Sequence, residues 1–167
     1  MGVSHGADIA RTLLRVTIGA TMVAHGVKHG KTLKGTAGWF ESIGFREPEL
    51  QAKLSAAVEV GSGSALIAGA GTPFAASAVI GTMAVAAQTV HRPNGFFITK
   101  EGYEYVMNVA AASAALAALG PGKLSVDRAL GLDKKLSGRN GFAIAAGAGL
   151  IGAAIQLITF WRRPAAG

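Results

Sequence analysis

His91 to Tyr105 reads HRPNGFFITKEGYEY and lies between two apolar runs, Ala75 to Val90 and Val106 to Leu119. The stretch is too polar to lie in hydrocarbon, where backbone and side-chain polar groups must be satisfied internally. It is also too aromatic for a plain solvated loop. A tight connection between antiparallel helices places His91, ending one run, at the same membrane depth as Glu104, starting the next.

Working outward, apolar runs of roughly 17 to 22 residues recur, the length that crosses a bilayer core as a helix. They cover about Ala7–Val27, Leu54–Ala70, Ala75–Val90, Glu101–Leu119 and Gly141–Trp161. Half of the 167 residues are hydrophobic and only 15% are charged, against about a quarter in a soluble domain. The fold class expected is all-α, a polytopic membrane helical bundle with no soluble domain.

A net charge of +7 could signal nucleic acid, but the basic residues flank the apolar runs, where they meet anionic lipid headgroups. Nucleic acid is not expected as a partner; membrane lipids, anionic ones included, are. The chain has no cysteine, so it forms no disulfide and no thiolate metal site. No cleavable signal peptide is expected, since MGVSHGAD lacks a positive n-region. The expected location is the plasma (inner) membrane, multi-pass, and the distribution of Lys and Arg leans toward an outside N-terminus.

Local signals set the helix ends. Pro48 between Glu47 and Glu49 suits a helix start, Thr72-Pro73 reads as N-cap and N1, and Gly120-Pro121 is a stop. The basic connector with Trp39, Phe40, Ile43 and Phe45 reads as an interfacial helix or as a lid over a site.

On the first helix Arg11, Arg15, Ile18, Met22, His25 and His29 share one face. Combining helix direction with a 1.5 Å rise puts His25, Glu59, His91 and Glu104 within roughly 8 Å of depth. Gln88, Asn94, Tyr103, Tyr105 and Asn108 are near enough to support them. Arg15 lies nearer the other face and is expected to lock with Glu59, or to join it in a proton path. Three chemistries fit the cluster. One is a structural network pairing costly polar groups. Another is a pocket for a polar headgroup such as a quinone, with His or Tyr donors and a carboxylate for protons. The last is a metal or haem site, disfavoured because no Glu-x-x-His pair is present. No metal or haem is therefore expected; a quinone is the one cofactor the pattern accommodates. Ala145, Gly149, Gly152 and Gln156 form a small, uncharged stripe on the fifth helix, expected to dock another membrane subunit or a second copy.

These residues resemble the DoxX family of bacterial membrane proteins. The resemblance rests on Leu14-Arg15 with Gly19, Ala24-His25-Gly26 with Lys28, and Val58-Glu59 with Gly61 and Gly63. It continues through Val90-His91-x-Pro93-Asn94-Gly95-Phe96, Gly102-Tyr103-Glu104-Tyr105, and Gly120-Pro121-Gly122-Lys123-Leu124-Ser125-x-Asp127. It implies a four-helix membrane domain over residues 1–128. Residues 129–167, a polar connector and a fifth helix, depart from that pattern. It also implies a membrane subunit of a redox-related complex, in a family with quinone-linked and thiosulfate-linked relatives. The alternative is a non-catalytic anchor or accessory subunit whose polar core is structural.

Overall fold

The computed structural model describes residues 5–164. These residues form seven α-helices: α1 His5–Lys31, α2 Leu33–Ser42, α3 Pro48–Ala68, α4 Thr72–Ala86, α5 Glu104–Leu119, α6 Val126–Ala129 and α7 Gly138–Phe160. α4 runs on through a π-helical turn, Ala87–His91, into a 3-10 turn, Arg92–Asn94. Among the described residues the only β pairing is an isolated bridge between Phe45 and Trp161.

The expected helix starts and stops are partly reproduced. α3 begins at Pro48 and α5 ends at Leu119, immediately before Gly120-Pro121. Thr72 is not the N-cap of α4. That position is Gly71 in the left-handed region (φ 55°), and Thr72 is the first helical residue.

The five long helices alternate in direction, so the bundle has two end faces. One carries the α1–α2–α3 connector, the α4–α5 loop and the end of α7, where Phe45 meets Trp161. The other carries the α3–α4 turn and the α5–α7 connector. By length and composition, Thr72–Asn94 and Gly138–Phe160 are the two helices long and apolar enough to cross a membrane. Of the five expected spans, these two meet that test. α1 carries Asp8, Arg11, Arg15 and Lys28 within its length, and α3 carries Gln51, Lys53 and Glu59. α5 has 16 residues, about 24 Å at 1.5 Å per residue, against a hydrocarbon core of about 30 Å.

Packing follows the small residues. α1 and α3 cross antiparallel at a pair of glycines: a Cβ on Gly63 would lie 2.5 Å from the Gly19 carbonyl oxygen, and one on Gly19 2.6 Å from that of Gly63. Glycine is the residue that permits such backbone contact. α7 lies along α4 and α5. A Cβ on Gly149 would meet the Ser77 carbonyl at 2.7 Å, and Ala145 is fully buried. Of the stripe expected to dock a partner, Ala145 and Gly149 pack inside this chain, and Gln156 donates to the Gln51 amide oxygen at 2.8 Å. The buried face of α7 is Gly141, Ala145, Gly149 and Ala153; Gly152 is exposed with open space around it. The face α7 turns outward is apolar, with Leu150, Ile151, Ile155 and Ile158 all exposed.

The aromatic connector packs onto the bundle through Phe40 and Phe45. Phe40 and Phe45 are buried edge to face, ring centroids 5.2 Å apart. They join Ala52, Val85 and Ala153 in one apolar cluster, so α2 closes the bundle at that end. Only Trp39 of the pair Trp39–Phe40 remains largely outside.

Candidate functional site

The α4–α5 loop is a knob built on its own backbone. Tyr103 N–H donates to the Gly95 carbonyl (3.0 Å), and Glu104 N–H to that of Phe96 (2.9 Å). The Tyr103 ring packs edge to face on Phe96. His91 Nδ1 lies 2.6 Å from the Glu101 carbonyl. A carbonyl only accepts, so Nδ1 carries the proton and Nε2 is the basic nitrogen of the neutral ring. The Glu104 carboxylate accepts from the Ile98 N–H at 3.0 Å. Asn94 donates to Val90 and Glu101 carbonyls, and Asn108 to the Glu104 carbonyl. Tyr105 is exposed.

At the end of α4, Arg92 donates to the Gln88 amide oxygen at 3.0 Å. Two cavities flank this pair. One, of about 400 Å³, is lined by Ala84, Ala87, Gln88, Arg92 and Tyr103. The other, of about 390 Å³, lies toward Trp161 and Arg163. Both open where the π turn interrupts the regular helical ladder. Such turns recur at functional sites.

Glu59 sits elsewhere, 4% exposed between α1 and α3. Ser55 Oγ donates to its Oε1 at 2.7 Å, so Ser55 Oγ accepts from His29 Nδ1 at 3.2 Å. The same Nδ1 is 3.1 Å from Glu59 Oε2. That approach is within ion-pair range but is not aligned as a hydrogen bond, and Oε2 has no other partner. The result is a chain from half-buried His29 through Ser55 to a buried carboxylate. Replacing Glu59 with Leu strands His29 and Ser55 against an apolar side chain. The expected loss is about 1–3 kcal/mol, read as a lower thermal midpoint in detergent. The exposed Glu41→Ala should stay within about 0.5 kcal/mol. An unchanged midpoint for Glu59→Leu would mean that the His29–Ser55–Glu59 contacts carry no stability.

Arg15 does not pair with Glu59. α1 and α3 run antiparallel in a fixed register, with residue 15 beside 67, 19 beside 63 and 29 beside 55. By that register Glu59 lies beside residues 23–25, some 12–15 Å along α1 from Arg15. It is 4% exposed and its guanidinium donates to the carbonyls of Pro121 (2.6 Å), Leu124 (2.8 Å) and Ile67 (3.0 Å). The anion whose charge it feels is Asp127. That carboxylate is 1% exposed and holds the start of α4. It accepts from Gly71 N–H (2.7 Å), Thr72 N–H (2.9 Å) and the Thr72 hydroxyl (2.8 Å), where the helix dipole favours negative charge.

The four expected site residues thus fall into two groups. His91 and Glu104 share the α4–α5 loop; Glu59 belongs to the α1–α3 seam. Among the described residues no hydrogen bond or ion pair joins the groups. His25 is exposed, with its ring centroid 6.3 Å from that of His29. The inward face of α1 is Arg15, Ile18, Gly19, Met22 and Gly26, so His25 is one position off it and His29 takes the inward place. No cluster of three or more His, Asp or Glu side chains suited to a metal occurs among the described residues. Sequence reasoning missed Ser55, Arg92, Arg163 and Asp127 as functional or organising groups. Asp127 lies in a connector without periodicity, where only the capping pattern beginning at Ser125 marks local order.

Apolar helices carrying their polar groups at two end faces define a helical membrane protein. The chain belongs to the DoxX family, whose sequence pattern matches residues 10–92, from α1 through the π turn of α4. Membership places it among membrane proteins associated with redox-related processes. No curated protein and no solved structure matches the chain.

Proposed function

We propose that this DoxX protein is a multi-pass subunit of a redox-related complex in the plasma (inner) membrane, and that it holds a quinone-type headgroup where α4 ends. The observation that carries this reading is the cavity of about 400 Å³ beside the π turn. Ala84, Ala87 and the Tyr103 ring supply apolar walls. The Gln88 amide and the Arg92 guanidinium supply donors for a carbonyl oxygen and for the negative charge that reduction places on it. His91 Nε2, one turn away, is a proton acceptor left free by the Nδ1 contact to the Glu101 carbonyl. Multi-pass insertion is supported by the alternating helices and by outward apolar residues such as Ile9 and Leu13 on α1 and Ile155 and Ile158 on α7.

A second reading, a non-catalytic anchor, is supported by a different observation. Arg15, Asp127 and Glu59 are all engaged in contacts within the chain, so the buried charges hold helices together without help from a ligand. Titration of the detergent-solubilised protein with a short-chain quinone distinguishes the two. Saturable binding is expected, weakened roughly tenfold, about 1.4 kcal/mol, by Gln88→Leu and by the cavity-filling Ala84→Leu. No saturable binding, or binding that neither variant weakens, selects the anchor.

A further inference from the structure

We propose that the second cleft, between the end of α4 and the segment after α7, binds a phosphate group, and that its source is an anionic membrane lipid. The cleft has a volume of about 390 Å³, within the size range of small-molecule sites. Two of its lining residues are Arg92 and Arg163, and none of the seven is acidic. The positive field inside it is therefore unopposed by any lining group. A guanidinium offers planar, paired N–H donors that match phosphate oxygens.

Arg92 is held in place by the Gln88 amide oxygen, which leaves the Gln88 amide N–H groups as further donors. Thr89 contributes no donor, since its hydroxyl is engaged by the Val85 carbonyl at 2.9 Å. The segment bearing Arg163 is docked, not loose. Trp161 Nε1 donates to the Ile43 carbonyl at 2.8 Å, Arg162 N–H to that of Gly44 at 2.9 Å, and Arg46 N–H to that of Phe160 at 2.8 Å. Gly44, at φ 93°, makes room for this segment: a Cβ there would strike the Arg162 carbonyl. Two arginines thus line one cleft across a fixed backbone.

A lipid is favoured over free phosphate by the other walls. Trp161, Pro93 and Pro164 complete the lining, giving apolar surface beside the cationic groups. Trp161 ends an apolar helix long enough to cross a membrane, and tryptophan there marks the headgroup level. A phosphate in the cleft would stand at lipid headgroup depth with its glycerol against tryptophan and proline. The quinone cavity shares Gln88 and Arg92 but not Arg163 or Trp161, so the two sites fail separately.

The test uses the full chain in detergent and three probes: dioctanoyl phosphatidylglycerol, dioctanoyl phosphatidylcholine and inorganic phosphate. Binding is read by thermal shift and by lipid retained in native mass spectrometry, for wild type and Arg163→Gln. Phosphatidylglycerol should bind more tightly than phosphatidylcholine. Arg163→Gln should weaken phosphatidylglycerol roughly fivefold, the effect of about one cationic contact at a lipid surface, and leave quinone binding unchanged. Inorganic phosphate bound as tightly as phosphatidylglycerol, and weakened equally by the variant, supports the phosphate site with a free anion as its source. Equal binding of the two lipids, or affinities that Arg163→Gln does not alter, overturns the proposal.

Discussion

Asp127→Ala is expected to destabilise the bundle strongly. The carboxylate is 1% exposed and accepts from two backbone N–H groups and the Thr72 hydroxyl. Its removal leaves those donors buried without partners, at the positive end of the α4 dipole. It also removes a buried negative charge that favours the Arg15 guanidinium, which is fixed in place by carbonyls from α3 and from the 121–124 segment. Leaving a buried donor without its partner costs about 1–3 kcal/mol, so the three together should cost about 3 kcal/mol or more. At roughly 2–4 °C per kcal/mol for a chain of this size, the thermal midpoint in detergent should fall by about 6–12 °C or more. Asp133→Ala is the control. Asp133 is paired with Arg128 near the surface, 2.8 Å apart, and the Arg128 hydrogen bond holds its carboxyl below the usual carboxylate range. That variant should leave the midpoint nearly unchanged. Equal behaviour of the two would remove Asp127 from its place as the joint between α1, α4 and the 120–128 connector.

The second large effect is expected at Gly149, and it separates an internal helix from a docking helix. A Cβ there would sit 2.7 Å from the Ser77 carbonyl oxygen and 3.0 Å from the Ile80 side chain. Ser77 and Ile80 belong to α4, and a carbonyl in a helix cannot move aside alone. Overpacking of this kind costs about 1–3 kcal/mol and more where backbone meets backbone. Gly149→Leu should therefore loosen α7 from α4. Faster tryptic cleavage at the exposed Lys134, Lys135 and Arg139 would report it, together with a lower midpoint. Gly152→Leu adds a side chain where nothing lies within 4 Å, so its cleavage rate and midpoint should match wild type. If Gly152→Leu instead strips a partner protein from the assembly while Gly149→Leu does not, the outward face of α7 is the docking surface.

The contrast between these two glycines shows how far periodicity carries. Small residues spaced by three and four on the fifth helix identify a close-packing face, but the spacing is compatible with both 149–152 and 149–153. A helix has 3.6 residues per turn, so one position changes direction by about 100°. The same ambiguity displaced His25. The apolar pattern of α1 admits residue 25 or 26 on the inner face, and only packing against α3 selects Gly26, because Val60 and the Ala56 carbonyl leave no room for a Cβ.

What the sequence determined by itself are the properties set within one helix or turn. The five long helices, the start at Pro48, the stop before Gly120 and the polar loop from His91 to Tyr105 all follow from local composition. So does the requirement that Arg15 find partners, since an unpaired guanidinium among apolar residues is too costly. The tertiary structure alone decided who those partners are. Glu59 is the acid nearest to Arg15 among the apolar runs, but antiparallel register places it more than two turns along the α1–α3 seam and gives it His29 and Ser55. Arg15 is satisfied by backbone carbonyls, which have no sequence signature, and by Asp127, which is more than a hundred residues away along the chain. Register and long-range pairing are fixed by which surfaces approach closely, and that is a property of two helices together, encoded in neither of them alone.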